Sequence, residues 1–466
     1  MESTTRAEPP RTGYVVLHRT WGLVLSSLLL SLLAGVAACY TYPLLVVGFC
    51  ISIAIVAIVV AEPYVGLLLY TILYMWRPGE AYPVLGALHA ERLVGALALL
   101  AMYVRQYRST GKLMIDGSRQ TRLLLLVLLA SILSVPFAYW RQGALNQLVD
   151  FSKLLVWYLL IVHLLNTRMR LRIYLGLFLT LIVKLALDAS RAYFNGNFKF
   201  AQGIDRAVGQ NDAAGDPNAL AATIAAAVPI LILLVFTKRL RRYRALLVAG
   251  IAVMTTTTLL TGSRGGLLGL LTGLVFLWQR SRHRLITGVI GLVLVAACAF
   301  ALPSEYKVRY ETIGQSKLDE SSQARIDVWK AGFRMILDRP LTGVGIGCFS
   351  PAHALGYSPE GRQNWLQPHN LYVQVPAELG LIGASCFFAF LFEMIRSIMA
   401  ARRKLIRAGP EWEPEAAAVT GLAAGLFCLL VTGIFGHSFM RYTWYVYGAL
   451  GIAVVRLRKE SSALIT

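Results

Sequence analysis

The chain has 466 residues, 57% hydrophobic and only 15% charged, with 45 Lys and Arg against 24 Asp and Glu. With a mean hydropathy of +0.61, this composition excludes an ordinary soluble domain and describes a polytopic membrane protein. The formal charge of +21 needs no nucleic acid to explain it, because the excess of Lys and Arg in membrane-facing loops supplies most of it.

Apolar stretches recur at 20–39, 43–60, 62–76, 84–104, 122–139, 151–166, 171–190, 219–237, 244–262, 265–279, 283–302, 371–397, 416–436 and 441–456. That is about fourteen spans of roughly the ~20 residues a bilayer core requires, or twelve if the short stretches 62–76 and 151–166 do not cross. The expected fold is an all-α polytopic membrane protein with one long periplasmic loop containing short helices. Four regions follow: N-terminal transmembrane helices at 1–190, transmembrane helices with periplasmic Arg segments at 191–302, the periplasmic loop at 303–370, and C-terminal transmembrane helices at 371–466.

The basic residues orient this scheme. Arg105, Arg108, Lys112, Arg119 and Arg122 form one connection, and Arg168, Arg170 and Arg172 another. Lys238 to Arg244, Arg280 to Arg284, Arg396 to Arg407 and Arg456 to Lys459 follow in alternate connections. Together with Arg6, Arg11 and Arg19 they predict that both termini are cytoplasmic. Residues 1–19 are polar and basic with no convincing cleavage pattern after the first span, so that span is expected to stay as an anchor. Five of the six cysteines lie in or beside apolar spans, and no CxxC or Cys/His spacing suggests a disulfide framework or zinc.

Two segments on the opposite side stand out for length and polarity, 191–218 and 303–370. The first holds Arg191, Lys199, Arg206, Asp212, Asp216 and Asn218. Asn218 opens an apolar helix as a natural cap, and Arg206 has the simpler option of pairing with Asp205 or Asp212. Arg264 lies in Thr261-Gly262-Ser263-Arg264-Gly265-Gly266 between two spans. An ionisable group there is a functional candidate, and guanidinium suits bidentate phosphate binding; the plainer role is contact with lipid headgroups. Lys184 and Asp188 are one helical turn apart and read as an intrahelical pair.

The 303–370 loop should contain a helix over 324–337, with Trp329, Phe333, Ile336 and Leu337 at helical spacing and Pro340 beyond its end. Such a helix can lie in the headgroup layer or cap the bundle. Gly343, Gly345 and Gly347 then form a turn that lets backbone approach a neighbour or substrate; no strand precedes it, so it is not a dinucleotide motif. Pro368-His369-Asn370 ends the loop. The proline places His369 at a helix start, where an imidazole can accept a proton near neutral pH. Its plainer role is an interfacial anchor among Trp365, Tyr372 and Gln374. His437 and Arg441 reach the same face, with packing an equal alternative. The carboxylates Asp212 and Asp216 are thin support for a metal, and no Asp-x-Asp pair occurs.

Taken in order, Arg206–Ala221, Ser263-Arg264-Gly265-Gly266, Arg325-Ile326-Asp327-Val328-Trp329, Arg339-Pro340-Leu341-Thr342-Gly343-Val344-Gly345 and His369-Asn370-Leu371-Tyr372 through Gly383 resemble the O-antigen ligase and Wzy polymerase superfamily of membrane glycosyltransferases. The resemblance covers about residues 200–385. The stretch from Glu62-Pro63-Tyr64 to Arg77-Pro78 is similar to the branch linked to exosortase and exopolysaccharide loci, with Arg77-Pro78-Gly79 where that branch usually has Asn-Pro-His. The resemblance implies metal-independent, inverting transfer of a glycan from undecaprenyl diphosphate at the periplasmic face of a bacterial inner membrane, without a cofactor. His369 would be the general base, and Arg264 and Arg206 would bind the diphosphate, with Arg191 competing for the upstream role. Asn218, Asn370, Arg191, Arg325, Arg339, His437 and Arg441 are the further substrate-binding candidates. The implied partners are the lipid-linked donor, a glycan, lipid or protein acceptor, and membrane lipids. Ligase and polymerase share this donor chemistry and differ in acceptor. A lipid-linked glycan transporter is the contrasting class, but no inverted hydropathy repeat supports it.

Overall fold

The computed structural model describes residues 24–33, 36, 43–81, 86, 89–201, 203–209, 215–280, 284–285, 288, 306, 320–358 and 364–463. Most of the expected span 283–302, and Arg6, Arg11, Arg19, Arg282 and Asp212, lie outside the described residues. The long helices are α1 (Val24–Leu33), α2 (Pro43–Ala61), α3 (Pro63–Trp76), α4 (Ala90–Thr110), α5 (Arg119–Ser134), α6 (Arg141–Leu164) and α7 (Arg168–Phe194). After them come α8 (Pro217–Val235), α9 (Arg244–Leu260), α10 (Arg264–Arg280), α11 (Glu320–Asp338), α12 (Leu371–Ile406), α13 (Glu413–Gly433) and α14 (Tyr442–Ala463). Among the described residues, seven helices are long and apolar enough to cross a membrane: those built on α5 to α9, α12 and α13. This is an all-α membrane protein with one small addition. A two-stranded antiparallel hairpin, β1 (Lys199–Ala201) and β2 (Ile204–Arg206), pairs Lys199 with Arg206.

α8 is the central helix, packed against α13, α9 and α10. Residues from Leu220 through Leu231 are buried around its whole circumference, as expected for a span enclosed by other helices. Small residues allow the approach: a Cβ at Gly425 would stand 2.1 Å from the Ala226 carbonyl oxygen. At ~1.5 Å per residue the 19-residue α8 is about 28 Å long. It runs from Asp216 at one end of the bundle toward Lys238 at the other.

At the Lys238 end the basic loops gather. Arg172 meets Glu415 at 2.7 Å, Arg168 lies over the Trp412 ring at 3.6 Å, and the Lys238 amide donates to Glu413. Arg456 pairs with Asp116, Arg119 with Glu393 at 3.3 Å, and Arg170 and Arg105 share Glu62. The connections that the charge pattern assigned to one side therefore touch one another. Lys184 pairs with Asp188 within α7, as the spacing predicted.

Two sequence expectations are refined. The short stretch 151–166 belongs to the 24-residue α6, which begins at Arg141 with largely exposed first turns and is buried from Phe151 onward. The loop helix forms as α11, but rotated. It buries Val328, Ala331, Gly332 and Met335, while Phe333 is 57% and Leu337 79% exposed. Thus α11 caps the bundle on α12 and turns an apolar edge outward.

The glycine turn after α11 approaches a neighbouring backbone. Within α12, Gly380 adopts φ 65° and ψ −176°, which breaks the helix. The freed groups are satisfied by the turn: Val344 donates to the Ala377 carbonyl at 2.8 Å, Gly345 to Glu378 at 3.0 Å, and Leu381 to Pro340 at 2.7 Å. A Cβ on Gly380 would sit 2.3 Å from the Leu341 oxygen. Broken backbone at this depth is tolerated because it is buried against protein.

Candidate active site

The opposite end of the bundle holds a cavity of about 350 Å³ built from four parts of the chain. The hairpin contributes Lys199 and Arg206, the start of α8 contributes Asp216 and Asn218, and α11 contributes Arg325 and Val328. The segment entering α12 closes it with Leu366, Gln367 and His369. Three lining side chains are cationic and one is acidic, so the cavity suits an anion.

Each side chain is placed by identifiable contacts. Asp216 N-caps α8, its carboxylate accepting from the Asn218 amide at 3.0 Å, and Pro217 occupies the first helical position. Gly266 lets α10 close on α8, since a Cβ there would lie 2.5 Å from the Ala221 methyl. That approach sets Ser263 beside Asn218. The Asn218 carbonyl oxygen accepts from Ser263 Oγ at 2.9 Å and from Arg206 Nη2 at 3.0 Å, while its amide nitrogen donates to Asp216 at 3.2 Å. Arg206 Nε donates to the Thr261 carbonyl at 2.7 Å, and the side chain is only 3% exposed. A buried guanidinium held at two points is rigid, which preorganises it for an anion.

Asn370 N-caps α12, accepting from the amides of Tyr372 at 2.8 Å and Val373 at 3.3 Å. Trp329 Nε1 donates to the Pro368 carbonyl at 2.7 Å, tying α11 to the same segment. Between these anchors His369 has φ 44°. A left-handed non-glycine residue costs about 1–3 kcal/mol and persists where its surroundings over-determine it, commonly at functional sites.

His437, on the connection between α13 and α14, stands next to His369. Their Nδ1 atoms are 3.3 Å apart and the rings meet edge-on with centroids at 4.8 Å. Burial, helped by His437, Arg325 and Arg206 and opposed by Asp216, lowers the His369 pKa to about 4. Burial likewise lowers His437, with Asp216 opposing and Arg441 adding to the shift. Burial alone would raise Asp216, but the Asn218 amide, both histidines and Arg441 hold it below the ordinary carboxylate range. Arg441 is 9% exposed and its pKa is lowered to about 10 by burial, so it stays cationic at neutral pH.

Donor atoms of Asp216, His369 and His437 all lie within 4.8 Å of one another, a spacing that could hold a metal ion. The charges around them argue otherwise. Arg206 and Arg325 act on His369, and Arg441 acts on Asp216 and His437, which disfavours a dication.

Of the residues singled out in the sequence, Arg206, Asn218, Arg325 and His369 line the cavity; His437 stands against His369, and Arg441 is a buried cation acting on Asp216. Arg264 opens α10 one residue past Ser263, half-buried, and is not among the residues lining the cavity. Asn370 acts through its cap. Arg191 is exposed in the last turn of α7, and Arg339 lies against the Phe137 carbonyl and 4.6 Å from the Tyr139 ring centroid; neither lines the cavity. Sequence reasoning passed over Asp216 and Ser263 as site residues. The Asp-Pro-Asn run marks a helix start, but nothing local shows that the cap faces a histidine on another helix.

Residues 249–388 match the family model described as O-Antigen ligase. The matched segment contains Ser263, Arg264, Arg325 and His369, whereas Arg206, Asp216, His437 and Arg441 come from outside it. No curated protein matches the chain.

Proposed function

We propose that this member of the O-antigen ligase and Wzy polymerase superfamily transfers a glycan from undecaprenyl diphosphate to an acceptor hydroxyl, without a metal and with inversion at the anomeric carbon. The observation that carries the reading is a half-buried histidine, its pKa lowered to about 4 so that the neutral form is favoured, in a cavity whose other ionisable lining residues are Lys199, Arg206, Arg325 and Asp216.

Diphosphate is already a competent leaving group, so the chemistry asks for little beyond positioning, charge stabilisation and one base. The Arg206 guanidinium, fixed by Asn218 and Thr261, would hold the diphosphate as negative charge grows on it. Arg325 would do the same from α11, and Arg264 from the start of α10. His369 would take the acceptor proton as the hydroxyl oxygen attacks. The basic loops gathered at the far end support a cytoplasmic placement of that end, in which the cavity would face the periplasm of a bacterial inner membrane.

Within this reading we assign the ligase acceptor, a lipid core or protein, following the family description. The test is purified protein in lipid with an undecaprenyl-diphosphate repeat unit, first alone and then with an acceptor. Transfer only after acceptor addition supports the ligase. Chain growth from the repeat unit alone would make it a polymerase, and no release of undecaprenyl diphosphate under either condition would overturn the reading.

A further inference from the structure

The role of His437 and Asp216 is left open by a mechanism that uses His369 alone. We propose that Asp216, His437 and His369 form a proton relay, in which the proton taken from the acceptor passes through His369 to His437 and is held there against the Asp216 carboxylate. The proposal rests on the transferase reading and adds the acceptor proton's destination to it.

The geometry carries the argument. Two ring nitrogens 3.3 Å apart are at the separation of a hydrogen bond in which one is protonated and the other is not. With the proton on His369 Nδ1, its Nε2 is the free base and His437 Nδ1 the acceptor. The carboxylate lies within 4.8 Å of both histidine donor atoms and is fixed by its capping bond to α8. Among the described residues, the other charges acting on the pair are cations: Arg206 from β2, Arg325 from α11 and Arg441 before α14. A proton left on His369, the histidine among the cavity cations, would face Arg206 and Arg325. Moved to His437, it exchanges Arg206 and Arg325 for Arg441 alone and keeps Asp216 as its counter-charge. Burial lowers both histidines and Asp216 raises both, which agrees with a carboxylate that makes the cationic form attainable.

The step balances as follows. The acceptor O–H bond breaks, its electron pair forming the new bond to the anomeric carbon. The bond from that carbon to phosphate oxygen breaks, its pair leaving on undecaprenyl diphosphate. His369 Nε2 gains the proton, the His369 Nδ1–H bond breaks, and a His437 Nδ1–H bond forms.

His437 and Asp216 are thus positioning residues, acting through His369. Asp216→Asn is the informative variant, because asparagine caps a helix as well as aspartate but carries no charge. The expected result is an unchanged melting temperature and donor KM, kcat lowered by about 10- to 100-fold, and an acid limb of the pH profile moved to lower pH. The sign follows from the charge: removing the carboxylate disfavours the protonated pair, so its apparent pKa falls. His437→Asn, which retains an oxygen able to accept from His369, should lower kcat similarly, and His437→Gln should not rescue it.

A purely structural role would change stability or KM without moving the limb. If Asp216→Asn and His437→Asn turn over like wild type while His369→Ala is inactive, the relay is wrong and the transferase reading stands. If His369→Ala retains full turnover, the catalytic reading itself fails. Nitrogen NMR of histidine-labelled protein tests the pair without any reaction. A titration midpoint shared by His369 and His437 and lowered in Asp216→Asn supports the relay; independent titrations unaffected by that change overturn it.

Discussion

The two ends of the bundle use the same residue type in opposite ways. At the basic end, Arg172 and Arg168 meet Glu415, Arg456 meets Asp116, and Arg119 and Arg396 meet Glu393. At the cavity end, Lys199, Arg206 and Arg325 line one space with Asp216 as its one lining acid. That acid also stands within reach of two histidines. Paired arginines hold loops together, and arginines gathered around a cavity raise its affinity for an anion. The difference lies in where the carboxylates are, not in where the arginines are.

This comparison can be broken from either side. His369→Ala should cost the most, lowering transfer by about 10²–10⁴-fold, read as undecaprenyl diphosphate release. Arg206→Ala should follow, with turnover reduced by about 10²-fold or more as the rigid cation facing the diphosphate is lost. Its donor affinity should fall as well, measured by binding of labelled donor. Arg264→Lys should lower kcat/KM by about tenfold, because an ammonium keeps the charge but not the two-point recognition of a guanidinium. Full activity would show that Arg264 contributes charge alone.

At the basic end the effects should appear in stability instead. Arg172→Ala leaves the Glu415 side chain, 1% exposed, with a weaker set of partners. A loss of about 1–3 kcal/mol is expected in thermal or denaturant unfolding, with kcat unchanged per folded molecule. A fall in kcat without a fall in stability would blur the division between the ends. The smallest effect concerns pH. With the His369 pKa lowered to about 4, the neutral base persists well below the range of an ordinary histidine. Activity should therefore hold as pH falls from 7 to 5 and be lost only as pH drops toward that value.

Much of the fold was legible because a bilayer asks for long apolar helices and the loop charges are simple to group. His369 was legible from Pro368 and Asn370, which announce a helix start, whereas Arg264, singled out from its polar turn between spans, is not among the residues lining the cavity. The rest depended on packing. The spacing of Trp329, Phe333 and Leu337 gave α11 its existence but not its phase, since Val328, Ala331 and Met335 are the residues that meet α12. Gly380 carries no local sign that Gly343 to Gly347 would satisfy its broken helix. Asp216 reads as a cap, and only the approach of α8, α12 and the connection after α13 brings it to His369 and His437. The hairpin that carries Arg206 is too short to show as a strand pattern.

The most direct test measures donor binding and undecaprenyl diphosphate release in the same preparation of His369→Ala, beside wild type, with acceptor present. The account predicts that labelled donor still binds, because Arg206, Arg325 and Lys199 are intact, while release falls to background. Release at the wild-type rate would contradict it.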